Sequence, residues 1–323
     1  MKYIDVFNGD ADGICALIQL RNANPVDSEL VTGVKRDIKL TSRVEAKEGD
    51  RVTVLDISLD SNREGLAKIL GQGAKVDYFD HHFAGHEIPQ HNNLTTHINT
   101  AAGCCTSTIV NRYLQARFQH WAIVGAYGDN LKQVADALST ASGLGGSQRN
   151  QLEKLGTYVN YNGYGTTVDD LHIPPAELFL ALRNYASPFD FFAEDRGVFE
   201  RLERGYLEDL ECACQIPAIH ETAASAAFLL PDVAWACRIR GVYGNKLANE
   251  FPNRAHAVIT EREQGGYIVS VRAPLNYPTG ADEICRQFPS GGGRKAAAGI
   301  NNLQENQLHH FLDTLDAFYA AQS

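Results

Sequence analysis

Three short β-branched or aromatic runs, residues 2–7 (KYIDVF), 51–57 (RVTVLDI) and 75–79 (KVDYF), each end in acidic or polar residues. Between them, residues 14–22 and 62–70 carry apolar positions at helical spacing. Strand–helix–strand alternation predicts a mostly parallel sheet. In such sheets ligands bind beyond the carboxyl ends of the strands, so the residues that follow each run matter most. From about residue 131 to 215 the pattern turns helical over 132–142, 148–159, 174–185 and 190–214, broken by loops at 143–147 and 161–167. Strand-like runs return at 226–230, 255–260 and 267–273, with helices expected at 244–250, 280–287 and 305–320. The expected class is α/β: a mostly parallel-sheet domain with a helical segment, then a smaller α/β domain, with the active-site cleft between them. The boundary is placed close to Pro217, give or take about ten residues, giving domains 1–215 and 216–323.

Composition narrows the setting. The chain has 323 residues, 44% hydrophobic and 21% charged, ordinary values for a folded soluble protein. No run approaches the roughly 18 apolar residues of a membrane span, and the start MKYIDVFNGD lacks the basic-then-apolar pattern of a secretory signal. A cytoplasmic location is expected. The seven cysteines are odd in number and show no paired CxxC spacing, so neither a disulfide framework nor a zinc knuckle is indicated. A net charge of −10 argues against broad binding to long polyanions, while leaving room for a small anionic substrate in a locally cationic or metal-bearing cleft.

The chemistry gathers at the ends of the expected strands: Asn8, Asp10 and Asp12 in FNGDADG, Asp56 in VLDIS, Asp80, His81 and His82 in YFDHH, and Asp129 in AYGDN. A single aspartate after a strand commonly caps a helix or makes a turn. Four such sites on one sheet edge would crowd carboxylates, each like-charged pair at about 4 Å costing about 4 kcal/mol at an intermediate dielectric. Divalent cations remove that cost. Carboxylate oxygens with imidazole suit manganese or magnesium, and ligand type alone leaves zinc, iron and cobalt open. Two ions about 3.5 to 4 Å apart can activate a water and stabilise charge on a phosphoryl oxygen.

In order, FNGDADG, LDIS, YFDHH and GDN resemble the four motifs of DHH phosphoesterases, a family of RecJ-like exonucleases, nanoRNases, cyclic-dinucleotide phosphodiesterases and family II pyrophosphatases. The resemblance implies that Asp56 bridges two metals and is catalytic, with Asp10 on one ion and Asp12, His81 and Asp129 mainly on the other. It implies that His82 contacts the phosphate or protonates the leaving oxygen; support of the site from behind is the alternative. Many members have histidine where this chain has Asn8, whose amide oxygen is a weaker ligand. Asn8 is then either a loose ligand or a neighbour of the ligands, with water completing the shell.

The C-terminal SGGGRKAAAG (290–299) independently resembles the glycine-rich motif of the DHH-associated substrate-binding domain. Gly291, Gly292 and Gly293 would let the backbone approach an anion, and the small residues after them are expected to start a helix facing a phosphate. Arg294 stands where histidine is usual and can grip a phosphate. Arg272, in VSVRAP, also looks like that domain; otherwise it is a surface charge. Asn99 and Ser107, in HINTAAGCCTS, resemble polar positions near the catalytic cleft, with helix capping equally open for Ser107.

The expected function is metal-dependent hydrolysis of short linear nucleotides such as pGpG or pApA to mononucleotides by a two-metal-activated water. Manganese is expected first, then magnesium or cobalt. The associated domain argues against a pyrophosphatase, and the length leaves out the extra nucleic-acid-binding domain of a full RecJ. The enzyme alternatives are a cyclic-dinucleotide phosphodiesterase, a pAp phosphatase or a short single-strand exonuclease; the non-enzyme alternative is a nucleotide-binding regulator with a weakened metal site. The expected partners are a small nucleotide, no long nucleic acid and no membrane, with a homodimer implied by the family.

Overall fold

In a computed structural model describing residues 1–322, the first strand is β1 (Tyr3–Phe7), buried over its last four residues. It leads directly into α1 (Ala11–Ala23), and then come β2 (Ser28–Val31), β3 (Arg51–Leu55), α2 (Arg63–Gly71), β4 (Lys75–Asp80) and β5 (Leu94–Ile98). The strands form one sheet in the order β2-β1-β3-β4-β5, parallel at every pairing, as the alternation predicts. One core cluster joins Ile4, Val6, Val52, Val54, Val76 and Tyr78 of the strands to Leu66, Ile69 and Leu70 of α2. Inside the sheet Asp5 is buried, but Arg21 of α1 grips both its oxygens and Ser28 donates at 2.7 Å, so the charge is paired.

Helices follow: α3 (Thr106–Tyr113), α4 (Gln119–Gly128), α5 (Lys132–Ala141), α6 (Gly146–Asn162), α7 (Pro175–Leu182), α8 (Pro188–Glu194) and α9 (Gly197–Cys214). The single helix expected over 190–214 is therefore two, parted at Asp195. The stretch WAIVGAYG ahead of Asp129 is not a strand but most of α4, and Asp129 is that helix's C-cap rather than a strand end. Every residue from Trp121 to Gly128 is buried; a helix covered on all sides shows no amphipathic period and reads like a buried strand.

The structure divides into two compact units, Met1–Arg204 and Gly205–Ser323. The division falls within α9, ahead of the expected position at Pro217. The second unit contains β6 (Ala218–Glu221), β7 (Ser225–Leu230), α10 (Ala234–Glu250), β8 (Ala255–Glu261), β9 (Tyr267–Arg272), α11 (Ala281–Cys285), β10 (Gly291–Arg294), β11 (Ala297–Leu303) and α12 (Leu308–Ala320). Its sheet runs β10-β11-β9-β8-β7-β6, with only β7 and β8 parallel. A separate core joins Val269, Val271, Ile259 and Ile300 to Phe311, Leu312 and Leu315 of α12. Among the described residues no helix is long and apolar enough to cross a membrane.

The glycine-rich run departs from expectation. Gly291–Arg294 is an edge strand paired antiparallel with β11, and no helix follows it. Two of its glycines answer to packing: a Cβ at Gly291 would lie 1.8 Å from the Cys285 carbonyl oxygen, and Gly293, at φ 142°, would place one 2.5 Å from Ala298 Cα. Alanines 296–298 carry helix propensity, but pairing with β9 overrides it.

Candidate metal centre

The carboxyl end of the parallel sheet collects the acidic residues. Asp10 caps α1, its Oδ1 accepting from the amides of Asp12 at 3.1 Å and Gly13 at 3.2 Å. The cap role that a lone aspartate suggests is real, and it uses one oxygen of the two. Asp12, one residue into α1, takes the Thr106 and Ser107 amides at the start of α3, both at 2.7 Å. Ser107 Oγ returns a bond to the Asp12 carbonyl at 2.8 Å, so Ser107 ties α3 to α1 rather than capping a helix.

Asp56 follows β3 in the left-handed region, φ 58°, a conformation that costs a non-glycine residue of order 1 kcal/mol. Its amide donates to Phe79 of β4 at 3.0 Å, and Thr106 Oγ1 donates to its Oδ1 at 3.1 Å. Beyond β4, His81 Nε2 stands 3.4 Å from Asp56 Oδ1 and 3.9 Å from both Asp12 Oδ2 and Asp129 Oδ2. His82 Nδ1 lies 2.7 Å from Asp80 Oδ1 and 4.0 Å from Asp56 Oδ1. Asp129 is delivered by α4, which crosses α6 so closely that a Cβ at Gly156 would lie 2.3 Å from the Val124 carbonyl oxygen.

Two sets of donors, Asp12–His81–Asp129 and Asp56–His81–His82, each present ligand atoms within 4.8 Å of one another. Carboxylate oxygens and imidazole nitrogens at that spacing fit a hard divalent cation. Without a cation the cluster is frustrated. Burial, then the charges of Asp12, Asp10, Asp129 and Asp80, hold the Asp56 carboxyl well above its ordinary range. Burial and Asp12 push Asp129 up to about 6, against the pull of Lys35 and His81. Burial lowers His82, but its bond to Asp80 and the nearby acids raise it overall. The buried thiols of Cys15 and Cys105 are driven well above the usual thiol range, by burial first and by Asp12 next.

Asp10 differs. Burial alone would raise its carboxyl, yet the Lys35 ammonium, 2.5 Å from Oδ2, brings it below the usual value. Asn8 is 6% exposed; its Oδ1 has no hydrogen-bond partner and its Nδ2 meets the Lys35 carbonyl at 3.5 Å. Lys35 and Thr106 are the residues of the centre that sequence reasoning missed. The signal for Lys35 is positional: it follows β2, a short half-exposed strand that does not announce itself, and so belongs to the same sheet edge as the acids.

The remaining expected residues are Asn99, whose amide donates to the Asp80 carbonyl at 3.1 Å, and five residues of the second unit. Asn99 makes a local turn, its Oδ1 accepting from the Ala101 amide at 3.1 Å. Arg272, Gly291, Gly292, Gly293 and Arg294 belong to the second unit. Arg272 on β9 and Arg294 on β10 are both registered with Ala297 on the strand between, so they share a face of the sheet. Arg272 is half-buried, bonded to Asn245 Oδ1 at 2.6 Å, Ser270 Oγ at 3.0 Å and the Gly241 carbonyl at 3.3 Å, and Arg294 is exposed.

Residues 4–142 match the DHH family, N-terminal domain. Among solved structures, RecJ from Thermus thermophilus in complex with Mn2+ is similar with a TM-score of 0.66 and 17% identity, over 99% of this chain and 52% of that one. The chain therefore spans about half the length of that relative. Exonuclease RecJ bound to manganese gives 0.61 and 17%, over 99% of this chain and 90% of that chain. The pGpG-specific phosphodiesterase PggH from Vibrio cholerae gives 0.58 and 14%, over 100% of both chains. At these identities the likeness is one of fold. No curated protein matches the chain in sequence.

Proposed function

We propose, for a chain whose residues 4–142 match the DHH family N-terminal domain, a phosphoesterase activity: hydrolysis of the phosphodiester in short linear nucleotides such as pGpG or pApA, yielding mononucleotides. The observation that carries this reading is the meeting of Asp12, Asp56 and Asp129 around His81, beside a histidine already aligned by a buried carboxylate. Divalent cations, manganese foremost, supply Lewis-acid activation of water and neutralise charge on the phosphoryl oxygens when bound there. Asp12, His81 and Asp129 would hold such a cation, and Asp56 Oδ1 lies 3.4 Å from His81 Nε2.

The protein's own groups account for the proton. Asp80 fixes His82 through Nδ1, so Nε2 is the nitrogen left to face a substrate. With Nδ1 held by Asp80, His82 is oriented to donate from Nε2 to the departing oxygen, a role typically worth 10²–10⁴-fold in rate. Within the second unit, Arg272 and Arg294 share one face of the sheet and suit a phosphate or a base. Two further observations support short over long: the net charge of −10, and a full-length fold match to a protein described as a pGpG-specific phosphodiesterase.

The test is a substrate panel: pGpG, pApA, cyclic dinucleotides, pAp and longer single strands, each incubated with purified protein and Mn2+, with products identified. Turnover of the linear dinucleotides to mononucleotides, abolished by chelation and restored by Mn2+, is expected. Preference for long strands would replace this reading with an exonuclease. Tight binding of any member with no turnover would replace it with a regulator.

A further inference from the structure

Lys35 is the group in the centre for which neither the motifs nor the proposed reaction has a use. Its ammonium meets Asp10 Oδ2 at 2.5 Å and Asn160 Oδ1 at 2.9 Å, and lies 5.3 Å from the centroid of the Tyr164 ring. Its backbone amide donates to the Gly163 carbonyl at 2.8 Å. Two glycines permit this approach: a Cβ at Gly9 would lie 2.0 Å from the Gly33 carbonyl oxygen, and one at Gly163 would lie 3.1 Å from Asp10 Cα. Three backbone segments are pressed together at this point, and they deliver a cation to a carboxylate that is 2% exposed.

The two halves of the pocket are unequal. On one side Asp10 already carries a cation: its Oδ1 accepts from the amides of Asp12 and Gly13, much as the Asp12 oxygens accept from Thr106 and Ser107, but its Oδ2 is held by the Lys35 ammonium. Its neighbour Asn8 can add one neutral oxygen, a weaker ligand than imidazole. On the other side Asp12, His81 and Asp129 converge on a common space, with Asp56 3.4 Å from His81. A divalent ion at Asp10 would have to displace the ammonium or sit against it, and like charges that close repel strongly.

We propose that Lys35 is a built-in monovalent cation that replaces one divalent ion, so that the resting centre binds a single ion on the Asp12–His81–Asp129 side. The inference rests on reading the pocket as a divalent-cation centre. Two of the three ammonium donors go to Asp10 and Asn160, and the third is left for a phosphate oxygen.

The test counts ions, without substrate. Full-length protein stripped by chelation is titrated with Mn2+; bound ion is measured by equilibrium dialysis, and coupling between ions by low-temperature electron paramagnetic resonance. Wild type is expected to take up one ion per chain with an uncoupled signal, and Lys35→Arg to behave alike. Lys35→Gln combined with Asn8→His is expected to bind a second ion at least about tenfold tighter than wild type, with a spin-coupled pair appearing. Lys35→Gln alone, one atom shorter but still an N–H donor, controls for misfolding of the double variant and is expected to take the second ion more weakly. Two coupled ions in wild type, or a single ion in every folded Lys35→Gln variant, would overturn the proposal. No bound ion in wild type would overturn it together with the metal-centre reading, an outcome distinct from both others.

Discussion

Asp56 concentrates the tension between stability and chemistry. It is buried, left-handed and surrounded by like charges, so without a cation its ionised form opposes folding. Asparagine tolerates the same backbone region and can still accept from Thr106, so Asp56→Asn isolates the charge. In chelator at neutral pH the variant is expected to unfold at higher urea, by about 1–2 kcal/mol, while turnover with Mn2+ falls by about 10³ or more. The sign follows from a folded-state pKa above the unfolded one: the wild-type cost is present above the ordinary carboxylate range and vanishes below it, where both states hold the proton. The variant's advantage should fade on acidification; an unchanged or lowered midpoint at neutral pH would show that crowding is not the issue. Most of this centre was readable from residues, because a carboxylate or histidine just past a β-branched run has a definite address. Lys35 was not, since a lysine in a loop carries no mark of what its ammonium will meet.

At the level of elements, legibility followed amphipathicity. β1, β3 and β4 are buried, β-branched or aromatic runs and were plain; β2 (SELV) and β5 (LTTHI), half-exposed at the sheet edges, were not. The uniform burial of α4 hid its period. The glycine run misled for a different reason: three glycines state that backbones come close without saying whether the neighbour is a ligand or the protein. The β10–β11 hairpin lets the two be separated. Gly293→Ala should destabilise by about 1–3 kcal/mol, since its Cβ meets Ala298 at a left-handed φ. A Cβ at Gly292 meets nothing within 4 Å, so Gly292→Ala should change stability by less than about 0.5 kcal/mol. If substrate uses this backbone, Gly292→Ala raises KM for pGpG while leaving the urea midpoint in place; an unchanged KM would remove Gly292 from the binding surface.

For the whole molecule, the two units have separate cores, one built on the parallel sheet and one on the mixed sheet. A ligand that binds one folded unit stabilises that unit by mass action, about 2.7 kcal/mol at a hundred times Kd. Calorimetry is expected to show two transitions, and Mn2+ to raise the one belonging to Met1–Arg204 while the other stays put. One merged transition, or an equal shift of both, would refute that separation. The general plan was legible because strand–helix alternation and its later loss are long-range patterns. The division itself was not, because it falls inside a continuous helix, where no loop composition marks it.

The protonated thiols behind the pocket have a chemical consequence. Cys15 and Cys105 are buried close enough to Asp12 to feel its charge, yet kept from ionising. A thiol that retains its hydrogen is a poor donor to soft ions and a slow target for oxidants. Burial first, and then the carboxylate that would attract a hard cation, keep the sulfur beside it in its protonated, weakly ligating form.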